Sequence, residues 1–106
     1  MENGDQLKVS LVTTVLNEES SIIEFLNSVF SMTNLPDEFI IVDGGSEDRT
    51  VKIIKKFISE GYSIKLIIEK GCNIARGRNI AIQNAKYPII AVQMRVAKLI
   101  KTGLKI

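Results

Sequence analysis

Ile40-Ile41-Val42-Asp43-Gly44-Gly45-Ser46-Glu47-Asp48-Arg49-Thr50 is the stretch on which the fold turns. An apolar, β-branched run suits a buried strand. It ends in an acid, two glycines and small polar residues, and a helical pattern follows. Chains that pass from strand to helix in this way present polar groups at the carboxyl end of a sheet strand, where open α/β sheets bind ligands.

The same alternation extends in both directions. Lys8 to Leu16 (KVSLVTTVL) reads as a first strand, and Asn17-Glu18-Glu19-Ser20-Ser21 as a helix start with cap-forming and acidic residues. Ile22, Ile23, Leu26, Val29 and Phe30 then recur at helical spacing, and Pro36 closes that segment. Glu38 to Val42 is the second strand. Thr50 to Ser59 is a helix with Val51, Ile54, Phe57 and Ile58 on one face and Lys52, Lys55 and Lys56 on the other; Gly61 stops it. Ser63 to Glu69 is a third strand, and Asn73 to Ala85 a third helix with Ile74, Ala81, Ile82 and Ala85 as its buried face. Tyr87 to Val92 is a fourth strand. Three strand-helix repeats leading to a fourth strand predict a three-layer α/β/α fold with a mainly parallel sheet and right-handed crossovers.

The bulk numbers agree. The 106 residues make one domain at most, with 45% hydrophobic and 25% charged residues, ordinary for a globular protein. A net charge of +2 gives no argument for nucleic acid. No stretch approaches the roughly 20 apolar residues of a membrane span, and the polar start is not a signal peptide. The single cysteine, Cys72, excludes an internal disulfide and predicts a reducing, cytoplasmic setting. With no histidine and one cysteine the chain offers no structural zinc site, whereas a hard cation held by carboxylates stays open.

The predicted carboxyl ends of the strands are Thr13 to Glu18, Asp43 to Asp48 and Glu69 to Asn73; two candidate clusters lie on the first two, and a third lies in the helix that follows the last. Asp43 could accept hydrogen bonds from a base edge or a ribose hydroxyl, Gly44 and Gly45 would allow close approach of a ligand, and Ser46 and Asp48 could cap the next helix. The alternative is a well-made turn in which local N–H groups satisfy Asp43. Thr13, Thr14, Asn17 and Glu18 end the first strand on the same rim, either as ligand groups or as an ordinary strand end and helix cap. Arg76 and Arg78, with Asn79, lie in the first turns of the third helix. Cations there oppose the helix dipole, and a phosphate ligand would reverse that cost; otherwise they form a solvated face.

Together VSLVTTVLNEE (Val9 to Glu19), EFIIVDGGSEDRT (Glu38 to Thr50) and GCNIARGRNIAIQNAKYPIIAV (Gly71 to Val92) resemble the family 2 glycosyltransferases of the GT-A fold. The pieces fall in the family's order and cover roughly residues 8 to 92. The resemblance implies a Rossmann-like nucleotide-binding half over residues 1–92, with Thr13, Asn17 and Glu18 lining the nucleotide pocket and Gly44 and Ser46 at its corner. It implies that Asp43 reads the base, usually uracil, and that Arg78 or Arg76 and Asn79 lie near the base or diphosphate. It further implies a nucleoside-diphosphate sugar, UDP-type, as the donor and Mg²⁺ or Mn²⁺ as the ion that neutralises the leaving diphosphate.

Beyond Val92 the sequence departs from that pattern. The family's acidic metal motif is expected there, yet Gln93-Met94-Arg95 follows and no acid occurs after Glu69. Shifted by one base, codons for these residues can spell Asp-Ala-Gly. The hypothesis is a one-base deletion in the gene, and it fails if no family-like open frame continues past the Val92 codon. The other reading is a tail, residues 93–106, with an amphipathic helix from Val96 to Leu104. Neither a metal carboxylate nor a catalytic base is visible, so the expectation is a nucleotide-binding half inactive alone. Two other readings compete: a non-catalytic nucleotide- or protein-binding module, and an unrelated doubly wound domain of receiver or flavodoxin type. An open apolar sheet edge also predicts a homo-oligomer.

Overall fold

The computed structural model describes residues 8–91. The elements run β1 (Ser10–Val15), α1 (Glu19–Phe30), β2 (Glu38–Asp43), α2 (Thr50–Ser59), β3 (Lys65–Ile68), α3 (Ile74–Asn84) and β4 (Ile89–Ala91). All strand pairs are parallel, in the order β3-β2-β1-β4. The predicted element order holds. Val92 and the tail helix predicted over Val96 to Leu104 lie outside the described residues.

Strand alternation divides the core into two layers. Leu11, Val15, Phe39 and Ile41 face α1 and α2, where they meet Ile22, Phe25, Leu26 and Ile54. Val12, Ile40 and Val42 face the other way, onto Ala81 of α3. Phe39 anchors the larger layer, with ring centroids 6.2 Å from Phe25 and 5.8 Å from Phe30. Truncating such a buried ring costs about 3–5 kcal/mol. Phe25, outside the sequence-derived face of α1, is buried, whereas Ile23 is half exposed.

The chain builds outward from β1 to β2 to β3 and then returns to place β4 on the far side of β1. Right-handed crossovers therefore put α1 and α2 on one face and α3 on the other. The reversal makes a switch point between β1 and β4, and the crevice at their carboxyl ends is where such sheets hold ligands.

The predicted buried face of α3 needs correction. Ala81 is buried as expected and Ala85 packs partly buried beside it, but Ile74 is 63% exposed and Ile82 is 41% exposed, and Gly77 takes the remaining buried position. The helix lies so close to the sheet that only small residues fit beneath it.

At the opposite, amino end of the sheet, Glu38 Oε1 accepts hydrogen bonds from Ser10 Oγ (2.7 Å) and Lys86 N (2.8 Å). Ser10 Oγ in turn accepts from Tyr87 N (3.2 Å). This network ties the lead-in to β4 onto β1 and β2. The Lys86 N–H, followed by the Ser10 hydroxyl, holds the Glu38 carboxyl below its ordinary pKa.

Candidate functional site

The carboxyl rim is organised by Asp43. Its side chain is 0% exposed and sits at the last position of β2. Oδ2 accepts from Gly45 N (2.9 Å) and Ser46 N (2.8 Å), and Oδ1 accepts from the Ser46 hydroxyl (2.5 Å). A carboxylate gathering two N–H groups and one O–H two and three residues ahead forms a closed turn. Gly45 has φ +106°, and a Cβ there would stand 2.9 Å from Lys70 Cγ, so both conformation and contact require glycine.

Ser46 connects this turn to the loop after β1. Its hydroxyl accepts from Asn17 N (2.8 Å), and Asn17 Oδ1 accepts from Glu47 N (2.8 Å). Asn17 adopts φ +52°, a left-handed conformation that asparagine tolerates better than most residues. Further along, Glu18 N donates to Thr50 Oγ1 (2.8 Å) and Glu19 N donates to Asp48 Oδ2 (3.1 Å). Residues of the α2 loop thus satisfy the first N–H groups of α1. Neither Glu18 nor Arg49, the cap residues of α1 and α2, makes a side-chain cap bond. Asp48 Oδ1 also accepts from Thr50 N (2.9 Å) and from the Thr50 hydroxyl (2.5 Å), and the hydroxyl is the main cause of its lowered pKa.

Above these two loops opens a cleft of about 400 Å³. Its floor comes from Thr14, Leu16 and Gly44 at the ends of β1 and β2, and its wall from Cys72, Asn73 and Ile74 leading into α3. Asn73 caps α3 by accepting from Arg76 N (2.8 Å). The amino terminus of α3 thus adjoins the cleft, and such a terminus favours anions.

The sequence-derived candidates separate by position. Gly44 lines the cleft. Asp43, Ser46 and Asn17 build the corner beneath it through the bonds above, and half-buried Glu18 begins α1 beside them. Thr13 is buried on the α1 face, and its Oγ1 has no hydrogen-bond partner among the described residues. Its neighbour Thr14 reaches the cleft instead. Arg76 and Arg78 leave opposite flanks of α3. Arg76 Nη2 lies 3.5 Å from Glu69 Oε2, whereas Arg78 follows cleft-lining Ile74 by four residues and shares its flank. Asn79 is exposed on the outer side of the helix. Leu16, Cys72 and Asn73 fall within the strand ends read as the rim, but were not singled out as site residues. The period of two along β1 gives the signal for Thr14, because it places Thr14 with Val12 and opposite Thr13.

Among the described residues, no group of three His, Cys, Asp or Glu side chains is placed to hold a metal ion. Asp43 and Asp48 direct their oxygens to local donors, and Glu69 faces Arg76. This donor set does not fit Mg²⁺ or Mn²⁺.

Fold and rim define an α/β domain with a parallel sheet and its cleft at the carboxyl ends of the strands. Residues 10–93 match the family described as Glycosyl transferase family 2, and the chain belongs to that family. It is 32% identical over 85 residues to glucosyl-3-phosphoglycerate synthase of Petrotoga mobilis, covering 76% of this chain and 26% of the relative. It is 33% identical over 86 residues to the probable glycosyltransferase YdaM of Bacillus subtilis, covering 78% and 20%. The crystal structure of S. aureus TarS 1-349 in complex with UDP-GlcNAc is similar at TM-score 0.72 and 26% identity, over 83% of this chain and 26% of that one. Mycobacterium tuberculosis glucosyl-3-phosphoglycerate synthase, solved with Mn²⁺ and UDP, shares the fold at TM-score 0.56 and 23% identity. The chain thus spans about a quarter or less of these curated relatives.

Proposed function

We propose that residues 8–91 form the nucleotide-binding part of a glycosyltransferase and that the cleft takes the nucleoside diphosphate of a UDP-type sugar donor. The observation that carries this reading is the cleft itself. It lies at the carboxyl ends of β1 and β2 and against the amino terminus of α3, in a chain of this family. The base would lie over Thr14, Leu16 and Gly44, where a mainly apolar surface suits a flat ring. The diphosphate would extend along the flank of α3 that carries Arg78, since a guanidinium pairs well with phosphate oxygens. The UDP-GlcNAc complex of TarS supports the choice of nucleotide.

In this reading Asp43, Ser46 and Asn17 act through the backbone they hold, because their oxygens already accept local N–H and O–H groups. Thr13 supports β1 from beneath. Glu18 stands beside that corner at the start of α1, whereas Asn79 lies on the outer side of α3. Sugar transfer would require groups beyond residues 8–91, since the acids described above already serve the two loops and Arg76. We place the protein in the cytoplasm on the ground of its single cysteine. We also keep a homo-oligomer as a proposal, which light scattering at high concentration would test.

Isothermal titration of the chain with UDP, with and without Mn²⁺, tests the assignment. Saturable UDP binding that does not need the ion supports it, and no binding at millimolar UDP overturns it.

A further inference from the structure

A glycine within a helix costs stability, about 1 kcal/mol relative to alanine. Gly77 occupies the fourth residue of α3 and is buried. Its environment explains the choice. A Cβ at this position would lie 2.8 Å from Thr14 Cγ2, closer than real Cβ atoms approach any atom, and 3.5 Å from Cys72 Sγ. Thr14 is part of the cleft floor, and Cys72 begins the wall that continues into α3. The missing side chain therefore sits between the two surfaces that define the cleft.

We propose that Gly77 is a positioning residue that sets the separation between the cleft floor on β1 and the cleft wall at the start of α3, and so the seat of the nucleotide. This rests on the nucleotide reading above. The methyl it meets belongs to a β-branched residue with a stiff χ1, on a strand hydrogen-bonded to β2 on one side and β4 on the other, so β1 is the less yielding partner. A methyl group at residue 77 displaces α3 outward, carrying Cys72, Asn73 and Ile74 with it. Alanine improves the intrinsic helix propensity, so weaker nucleotide binding would not come from a poorer helix. The contact is local to one methyl, Thr14 Cγ2, and its removal relieves the overlap.

A double-mutant cycle of Gly77→Ala and Thr14→Ser, read by UDP titration, tests this. Gly77→Ala is expected to weaken UDP binding about tenfold in the Thr14 background, in line with the usual effect of overpacking. In the Thr14→Ser background, compared with Thr14→Ser alone, the same change should weaken it less than about threefold, because contacting residues are non-additive. Alkylation of Cys72, the one thiol of the chain, gives a ligand-free reading of the same movement. Gly77→Ala should speed it, and Thr14→Ser should reverse the gain. Equal weakening in both backgrounds, or none in either, overturns the proposal. So does a Gly77→Ala chain that fails to fold by circular dichroism, since Gly77 would then serve the fold as a whole. If the unaltered chain binds no UDP, the nucleotide reading fails, and the Cys72 rates alone decide whether Gly77 sets the gap.

Discussion

Asp43 is the residue at which two accounts of the site diverge, and its substitution separates them. If its carboxylate serves the turn, Asp43→Ala removes the acceptor for Gly45 N, Ser46 N and the Ser46 hydroxyl together. Hydrogen bonds to a charged group are worth about 1.5–3 kcal/mol each. These three are only part-buried and their donors can regain water, so the low end applies. The loss is about 4.5 kcal/mol for alanine and about 2 kcal/mol for asparagine, which keeps one good acceptor but loses the charge. In a domain of this size 1 kcal/mol moves the melting temperature by about 4–8 °C. Asp43→Asn should therefore melt about 10 °C lower and Asp43→Ala at least about 15 °C lower. Thermal unfolding by circular dichroism measures this. UDP titration well below each transition gives the second reading, and Asp43→Asn should weaken affinity by less than about tenfold. An unchanged melting temperature with abolished UDP binding would refute the reasoning, and Asp43 would then contact the ligand directly.

Other outcomes follow from the same geometry. Thr13→Val removes a buried hydroxyl with no partner among the described residues. It should leave UDP affinity unchanged and raise stability by about 1 kcal/mol, measured by denaturant unfolding. Arg78→Ala should weaken UDP binding about tenfold and reduce its salt dependence, whereas Arg76→Ala, whose guanidinium is turned to Glu69, should weaken it less than about threefold; equal losses would contradict the flank assignment. Folding lowers the pKa of Glu38 from its ordinary 4.5, so the bound proton is disfavoured in the native state. Its contribution is present above pH 4.5 and fades as pH falls through the lower native value. The stability gap between the unaltered chain and Glu38→Gln, small because the carboxyl is largely solvated, should close over that acid range in pH-dependent melts.

Much of the fold could be read because the signals were local. Apolar β-branched runs, a proline after α1 and a glycine after α2 each act within a few residues, and the observed α2 spans the predicted Thr50 to Ser59. Helix α3 misled at two positions: Ala81 faces the sheet as read, but its sheet-facing neighbour is Gly77, while larger Ile74 and Ile82 are substantially exposed. A hydrophobicity pattern ranks the isoleucines above glycine, yet the approach distance to β1 decides which side faces inward. The site was legible as a region and less so residue by residue. The period of two along β1 puts Thr13 and Thr14 on opposite faces, but only the packing of α1 on one face and α3 on the other makes the first a core residue and the second a cleft residue.

The amino-acid sequence by itself determined the order of strands and helices, the parallel sheet, the polar rim at the carboxyl ends of the strands and the family. Those properties depend on residue type and short-range spacing. Tertiary structure alone decided that Asp43 closes a turn through three local donors, that Ser46 and Asn17 join two loops separated by 29 residues, and that Thr14 meets the start of α3 over a glycine. The physical reason is that hydrogen bonding and close packing depend on distances between segments far apart in the chain. Those distances exist only once the sheet has brought β1, β2 and α3 together.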